Sequence, residues 1–358
     1  MATGVVSLAL VGDIFLRRED PRSIFALGAE PLQQADIAFG NLEGPITNVG
    51  KVPEVKAINR LQFASPEGMV DGLVHAGIDV VSLANNHGMN MGAEGMLRCI
   101  EVLDRNGIAH AGGGRNSAEA HGPAILERNG VRVAFLAYTS VFWPPFAATD
   151  ERPGMATVRG ITTYEPEARL LEVPGSAPLI HTHADPKDKA AMQNDVRNAK
   201  EHADTVVVSW HWGLSGATGG GYGAGHIIDY QVELAHGAID AGADVVVGHH
   251  PHQLEGIEIY DGKPVFYSLG NFAFEMHGGR RRQTTAVAQV LLRNGRIEEA
   301  GFIPYVINEE AQPLPASTSE AKDVLEEMQR KSKDFPTEFH SREKDVLVLR
   351  AKAPVAAR

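Results

Sequence analysis

One device recurs five times along the chain: a short apolar, β-rich run stops at a cluster of carboxylate, amide or imidazole side chains. Residues 5–11 run into Asp13, 35–39 into Asn41 and Glu43, and 79–84 into Asn85, Asn86 and His87. Residues 205–209 lead to His211, and 244–248 to His249, His250 and His252. Apolar runs without strict alternation read as strands buried on both faces, which need cover on each side. That cover has its own signature. Residues 94–106 read as a helix, with Met96, Ile100 and Leu103 at helical spacing and Gly107 as a stop, and residues 230–241 as another closed by Gly242. Strands alternating with helices predict an α/β fold. Ligands of open α/β sheets bind at the C-terminal strand edge, so the five polar run ends predict one shared site.

The texture changes after His252. Residues 255–260 and 264–269 flank Asp261-Gly262, and residues 284–292 and 296–304 flank Asn294-Gly295. Both read as hairpins, expected to form an antiparallel sheet that follows the α/β part. Residues 319–333 read as a charged amphipathic helix packed on the same domain. The Pro-rich stretch 142–186 is expected to be an irregular lid or insertion loop, with His181-Thr182-His183 as a polar loop rather than a ligand set. Residues 216–225 are Gly-rich but lack the Lys-Ser/Thr of a phosphate loop, and are expected to form a mobile loop over the site. The domain expectation is therefore one unit over residues 1–310, carrying the 142–186 lid, with a helix and tail over 311–358.

Composition removes several classes. A single Cys rules out an internal disulfide and any Cys-based zinc or iron–sulfur site, and its place within the 94–106 helix reads as packing. A net charge of −12 argues against a nucleic-acid partner. No run approaches the ~18 apolar residues of a spanning helix, and the first run has no basic residue before it. The expectation is a cytoplasmic chain without a membrane partner. The clustered donors are oxygen and imidazole, which suit a Mn, Fe or Zn ion.

The run ends also carry a resemblance. Gly12-Asp13, Asn41-Leu42-Glu43-Gly44-Pro45-Ile46-Thr47, Ala84-Asn85-Asn86-His87, His211-Trp212-Gly213, Gly248-His249-His250-Pro251-His252 and Ser268-Leu269-Gly270-Asn271-Phe272 together resemble the CapA family. That family includes the poly-γ-glutamate capsule proteins and belongs to the calcineurin-like metallophosphoesterase superfamily. The resemblance implies a four-layer α/β/β/α sandwich. It implies a metal set of Glu43, Asn86, His211, His250 and His252, with Asp13 as the aspartate of the first block and His87 as a neighbouring acid. His249 and His250 can exchange roles. The superfamily's first block is Asp-x-His, whereas Asp13-Ile14-Phe15 places Phe15 at the histidine position. That departure, with no membrane anchor in the chain, shifts the resemblance toward a soluble member similar to the lasso-peptide epimerase.

This implies acid–base epimerisation of a peptide Cα with no metal required. Asp13 is then one partner of the proton-transfer pair, and His87, His250 or His277 the other. A peptide substrate would meet Asn41, Asn85 and Trp212, and its terminal carboxylate Arg280 and Arg281. The alternatives are hydrolysis of a phosphoester or poly-γ-glutamate-type amide with one divalent metal, or non-catalytic binding of a peptide or polymer.

Overall fold

The computed structural model describes residues 4–57, 63–166, 172–173, 175–215, 226–275 and 283–350. Two sheets dominate. The first is built around four parallel strands, β1 (Val5–Phe15), β2 (Ile37–Leu42), β3 (Val80–Ser82) and β4 (Ala109–Ala111). The second has β6 (Val131–Thr139), β7 (Thr205–His211), β8 (Val245–His249) and β10 (Lys263–Phe266) in parallel. Antiparallel β5 (Ala124–Arg128) and β9 (Ile257–Tyr260) lie on its edges. The α/β class expected from the alternating pattern is the class observed.

The late hairpins do not make a sheet of their own, contrary to expectation. The strands β12 (Gln283–Arg293) and β13 (Arg296–Ile307) form their hairpin about Asn294-Gly295, but β12 then pairs antiparallel with β1, from Val5↔Arg293 to Leu10↔Ala288. The reason is that β1 would otherwise leave a row of backbone groups unpaired at the sheet edge. The sheet continues past β13 through β14 (Val346–Arg350), and the β9–β10 hairpin extends the second sheet through the parallel pairing of β10 with β8. β11 (Asn271–Phe274) adds a parallel partner to the end of β1.

Alternate strand residues serve different cores. Val6, Leu8, Leu10, Ile37 and Phe39 of the first sheet cluster with Val133, Phe135, Val207, Val245 and Val247 of the second. The opposite face of the first sheet, with Ala9, Val11, Ala38 and Val81, packs on α1 (Val70–Ala76) and α2 (Gly92–Arg105). The opposite face of the second, with Ala134, Leu136, Val206, Val208 and Val246, packs on α3 (Pro186–His202) and α4 (Asp229–Asp240). Period-two side-chain direction alone sorts one strand's residues between two cores. α5 (Thr318–Lys331) adds Val324 and Met328 to the cluster between the sheets. Cys99 is buried in α2, where burial pushes its thiol up to about 12, so it packs rather than reacts.

The stretch expected to be irregular contains a hairpin, Gly160–Glu165 against Leu179–Ala184, in register from Gly160↔Ala184 to Glu165↔Leu179. His181 and His183 lie on it, and His181 Nε2 is 3.0 Å from Glu165 Oε2 on the facing strand. Prolines at 166 and 178 lie outside these paired strands, which is where proline is tolerated. Residues 216–225, expected to cover the site, lie outside the described residues. No helix among the described residues is long and apolar enough to cross a membrane.

Candidate functional site

The two sheets pack face to face, and the polar run ends of both meet at the C-terminal ends of their strands. Strand phase decides which side chains arrive. On β7, Val207 faces the other sheet while Val206, Val208 and Trp210 face the helices, so His211 falls on the inner side. The same phase on β8 delivers His249 beside Phe39, with ring centroids 5.9 Å apart. β1 needs a correction of phase, because Leu10 faces inward and strict alternation would send Asp13 outward. The register shifts between Leu10 and Asp13, and this bulge turns the carboxylate into the site. Gly12 makes the bulge feasible. A Cβ there would lie 1.9 Å from the Gly270 carbonyl oxygen, and Asp13 N–H donates to that oxygen at 2.9 Å.

Asp13, Asn41, Glu43, Asn85 and His249 are fully buried. Asn41 Nδ2 donates to Asp13 Oδ1 at 2.8 Å, and Asn85 Nδ2 donates to Asn41 Oδ1 at 3.1 Å. His211 Nδ1 is 3.3 Å from Asn41 Nδ2, and His211 Nε2 is 3.0 Å from Asn86 Oδ1. Three imidazoles face Glu43 Oε1: His252 Nε2 at 3.6 Å, His87 Nε2 at 3.8 Å and His211 Nε2 at 3.9 Å. His252 Nδ1 reaches Asp13 Oδ2 at 3.3 Å and Asn271 Oδ1 at 2.9 Å.

This packing sets the charges. Burial raises the proton affinity of Asp13, but the hydrogen bond and charge of His252, the charge of His249 and the Asn41 amide outweigh it and hold the carboxyl low. Burial lowers His252, yet Glu43 and Asp13 lift it to about 10. Burial, then the charge of His252, pushes His250 down to about 3; burial alone pushes His249 down to about 4 against the pull of Asp13. His211 is held well below its ordinary value by burial and by the other imidazoles. His211, His249 and His250 are therefore neutral, with lone pairs beside carboxylates, while His252 carries a proton that a bound divalent ion would displace.

The residues present fit such an ion. Glu43, His250 and His252 each offer a ligand atom within 4.8 Å of the others, the one such group among the described residues. His250 Nδ1 and both ring nitrogens of His249 are buried without a hydrogen bond among the described residues. His250 and His252 also hold left-handed backbone, φ 95° and 57°, a conformation costing about 1–3 kcal/mol per non-glycine residue that persists where surroundings impose it. His250 N–H donates to Asp13 Oδ2 at 3.4 Å and helps to impose it.

The structure thus brings together Asp13, Asn41, Glu43, Asn85, Asn86, His87, His211, His249, His250 and His252. Trp212, expected at the substrate, is not among them. It is fully buried on the helix side of the second sheet, stacked on Trp210 at 5.3 Å, with its Nε1 donating to the Tyr267 carbonyl at 2.9 Å. Its phase is opposite to that of His211, which the alternation around His211 already implied. His277, Arg280 and Arg281 lie outside the described residues. Phe15 packs on Phe63 and Phe274 at 4.7 and 5.8 Å, walling one flank of the site against His87 and His252. Sequence reading missed Phe63, Phe274 and Asn90, and assigned Asn271 no role although it lies in a quoted motif.

Residues 7–276 match the model of the family described as bacterial capsule synthesis protein PGA_cap. The chain is 30% identical over 322 residues to the capsule biosynthesis protein CapA of Bacillus anthracis, covering 88% of this chain and 70% of that protein. It is 31% identical over 329 residues to the PGA biosynthesis protein CapA of Bacillus subtilis, covering 89% and 76%. A probable polyglutamine synthesis accessory protein of Mycobacterium tuberculosis is 30% identical over 247 residues, covering 68% and 57%. These relatives overturn the peptide epimerase expected from the sequence, since they are named for capsule, PGA and polyglutamine synthesis. The error has a chemical source: carboxylates and imidazoles arrayed as a proton-transfer pair are also a metal-ligand set.

Proposed function

This chain belongs to the PGA_cap family of bacterial capsule synthesis proteins, and from that premise we propose that it cleaves an amide of a poly-γ-glutamate-type polymer at a single divalent metal. The observation that carries this reading is the convergence of Glu43, His250 and His252 within 4.8 Å. These three would hold the ion, of Mn, Fe or Zn type. When bound, it supplies Lewis-acid polarisation of an amide carbonyl.

The chain's own groups do the rest. Asp13, kept ionised by His252 and Asn41, is the carboxylate that takes a proton from an attacking water and passes it to the amine nitrogen as the C–N bond breaks. Asn41 and Asn85 tie the strand ends together and fix where that carboxylate points. Asn271 aligns His252 through its Nδ1 and is itself held by the amide of Gln283, with Asn271 Nδ2 donating to Gln283 Oε1 at 3.0 Å. The phenylalanine wall excludes water from the flank where a further ligand would otherwise stand.

The test is incubation of metal-loaded protein with poly-γ-glutamate, following new amino termini and polymer length. Cleavage that is lost on chelation and restored by the metal supports the reading. Binding of the polymer without cleavage would replace it by a non-catalytic binding role, and release of phosphate from phosphoesters with no amide cleavage would replace it by phosphoester hydrolysis.

A further inference from the structure

One fully buried amide at the site is not used above. Asn90 lies three residues beyond His87 and has no exposed surface. Its Nδ2 sits 3.1 Å from the Phe63 carbonyl oxygen and 2.8 Å from His87 Nδ1. The carbonyl can only accept, so the atom facing it must be the amide nitrogen rather than the amide oxygen. The same nitrogen faces His87, so His87 Nδ1 is an acceptor and the ring proton is on Nε2. The Phe63 ring, 4.1 Å from the His87 ring, holds the imidazole plane. Nε2–H is then directed to the Glu43 side of the site, 3.8 Å from Oε1.

We propose that Asn90 is a positioning residue that fixes His87 as a neutral Nε2–H imidazole, a hydrogen-bond donor to an oxygen of the substrate rather than a group that gives up its proton. A neutral imidazole that lost Nε2–H would become an imidazolate, and an amide donor at Nδ1 supplies no negative charge to support the alternative, an imidazolium that donates and returns to neutral. Aspartate at position 90 would do the reverse, because a carboxylate only accepts and demands a proton on Nδ1. The choice of amide over carboxylate at this position therefore selects which kind of donor His87 is. The substrate half of this inference rests on the amide-cleavage reading; the tautomer half does not.

Two-bond proton–nitrogen spectra of 15N-histidine-labelled protein, with His87→Gln to assign the signal, test it. In the wild type, His87 Nδ1 reads as unprotonated and Nε2 as protonated. Asn90→Asp moves a proton onto Nδ1, and Asn90→Ala, which removes the donor without adding charge, mixes the two neutral tautomers and lowers kcat on poly-γ-glutamate about ten- to a hundredfold with KM little changed. A wild-type Nδ1 that carries a proton overturns the inference whatever the polymer assay shows. So does an unchanged His87 signal in both folded variants, and if Asn90→Asp does not fold, an unchanged signal in Asn90→Ala alone does the same. A wild type with the stated tautomer that fails to cleave the polymer overturns the functional reading and the substrate half, and leaves Asn90 as the residue that sets the imidazole.

Discussion

Asp13 and Glu255 are both carboxylic acids with no exposed surface, yet one is an anion and the other a neutral, protonated acid. Asp13 lies at the strand edge among His249, His252 and the Asn41 amide, and stays ionised. Glu255 lies a few residues past the histidine motif. Its close contact is a neutral amide, Gln231 Nε2 at 3.4 Å, and its Oε1 makes no hydrogen bond among the described residues. Burial pushes it up to about 8, against the Gln231 bond and the charge of Lys331. Burial is common to the two; the imidazoles are not. The comparison shows that the site's charge is made by its histidines, which convert a desolvated carboxylate from proton holder to anion.

Breaking the anionic side gives the largest effect. Asp13→Asn keeps the shape and the Asn41 contact but removes the charge, and should cut polymer cleavage at least ~100-fold, read by initial rates, while the circular dichroism spectrum persists. Next in size, Asn271→Ala frees His252 from its aligning amide and should weaken metal affinity about tenfold, read by calorimetric titration. Trp212→Phe removes the indole bond to Tyr267 and leaves a gap beside Trp210, and should cost about 2–3 kcal/mol in denaturant unfolding, with metal affinity unchanged.

The protonated side is read in stability rather than in activity or metal affinity. Glu255 has an ordinary value of 4.5 and sits at about 8 when folded, so the folded chain binds the extra proton between those values. Stability is then highest below pH 4.5 for this group, falls as pH rises toward 8, and levels off above it. Glu255→Gln should flatten that decline, read as Tm over the same pH range.

How much of this was legible in the sequence follows from how local each feature is. The strands that carry Asp13, Asn41, His211 and His249 announce themselves by apolar runs, and their polar ends sit where open sheets place ligands. Trp212 was misplaced although its phase against His211 was readable, because an indole beside a site histidine invites a binding role. The hairpins after His252 were visible as hairpins through Asp261-Gly262 and Asn294-Gly295. Their sheets were not, since joining β12 to β1 is a pairing across most of the chain with no local signal. Asn90 and Phe63 were invisible for the same reason: a loop amide gains its meaning only from the carbonyl and imidazole that the fold sets beside it. The epimerase reading failed at a different level, because Asp13, His87 and His250 do meet but their chemistry supports more than one reaction, while Trp212 lies elsewhere.

The central claim is that the strand-edge histidines and Glu43 make a site for one divalent ion. Calorimetric titration of chelator-stripped protein with Zn²⁺ and with Mn²⁺, in the wild type and in Glu43→Gln, tests it most directly. The account predicts one ion per wild-type chain and loss of that binding in Glu43→Gln with the fold retained. No binding by the wild type, or binding that Glu43→Gln leaves untouched, would contradict it.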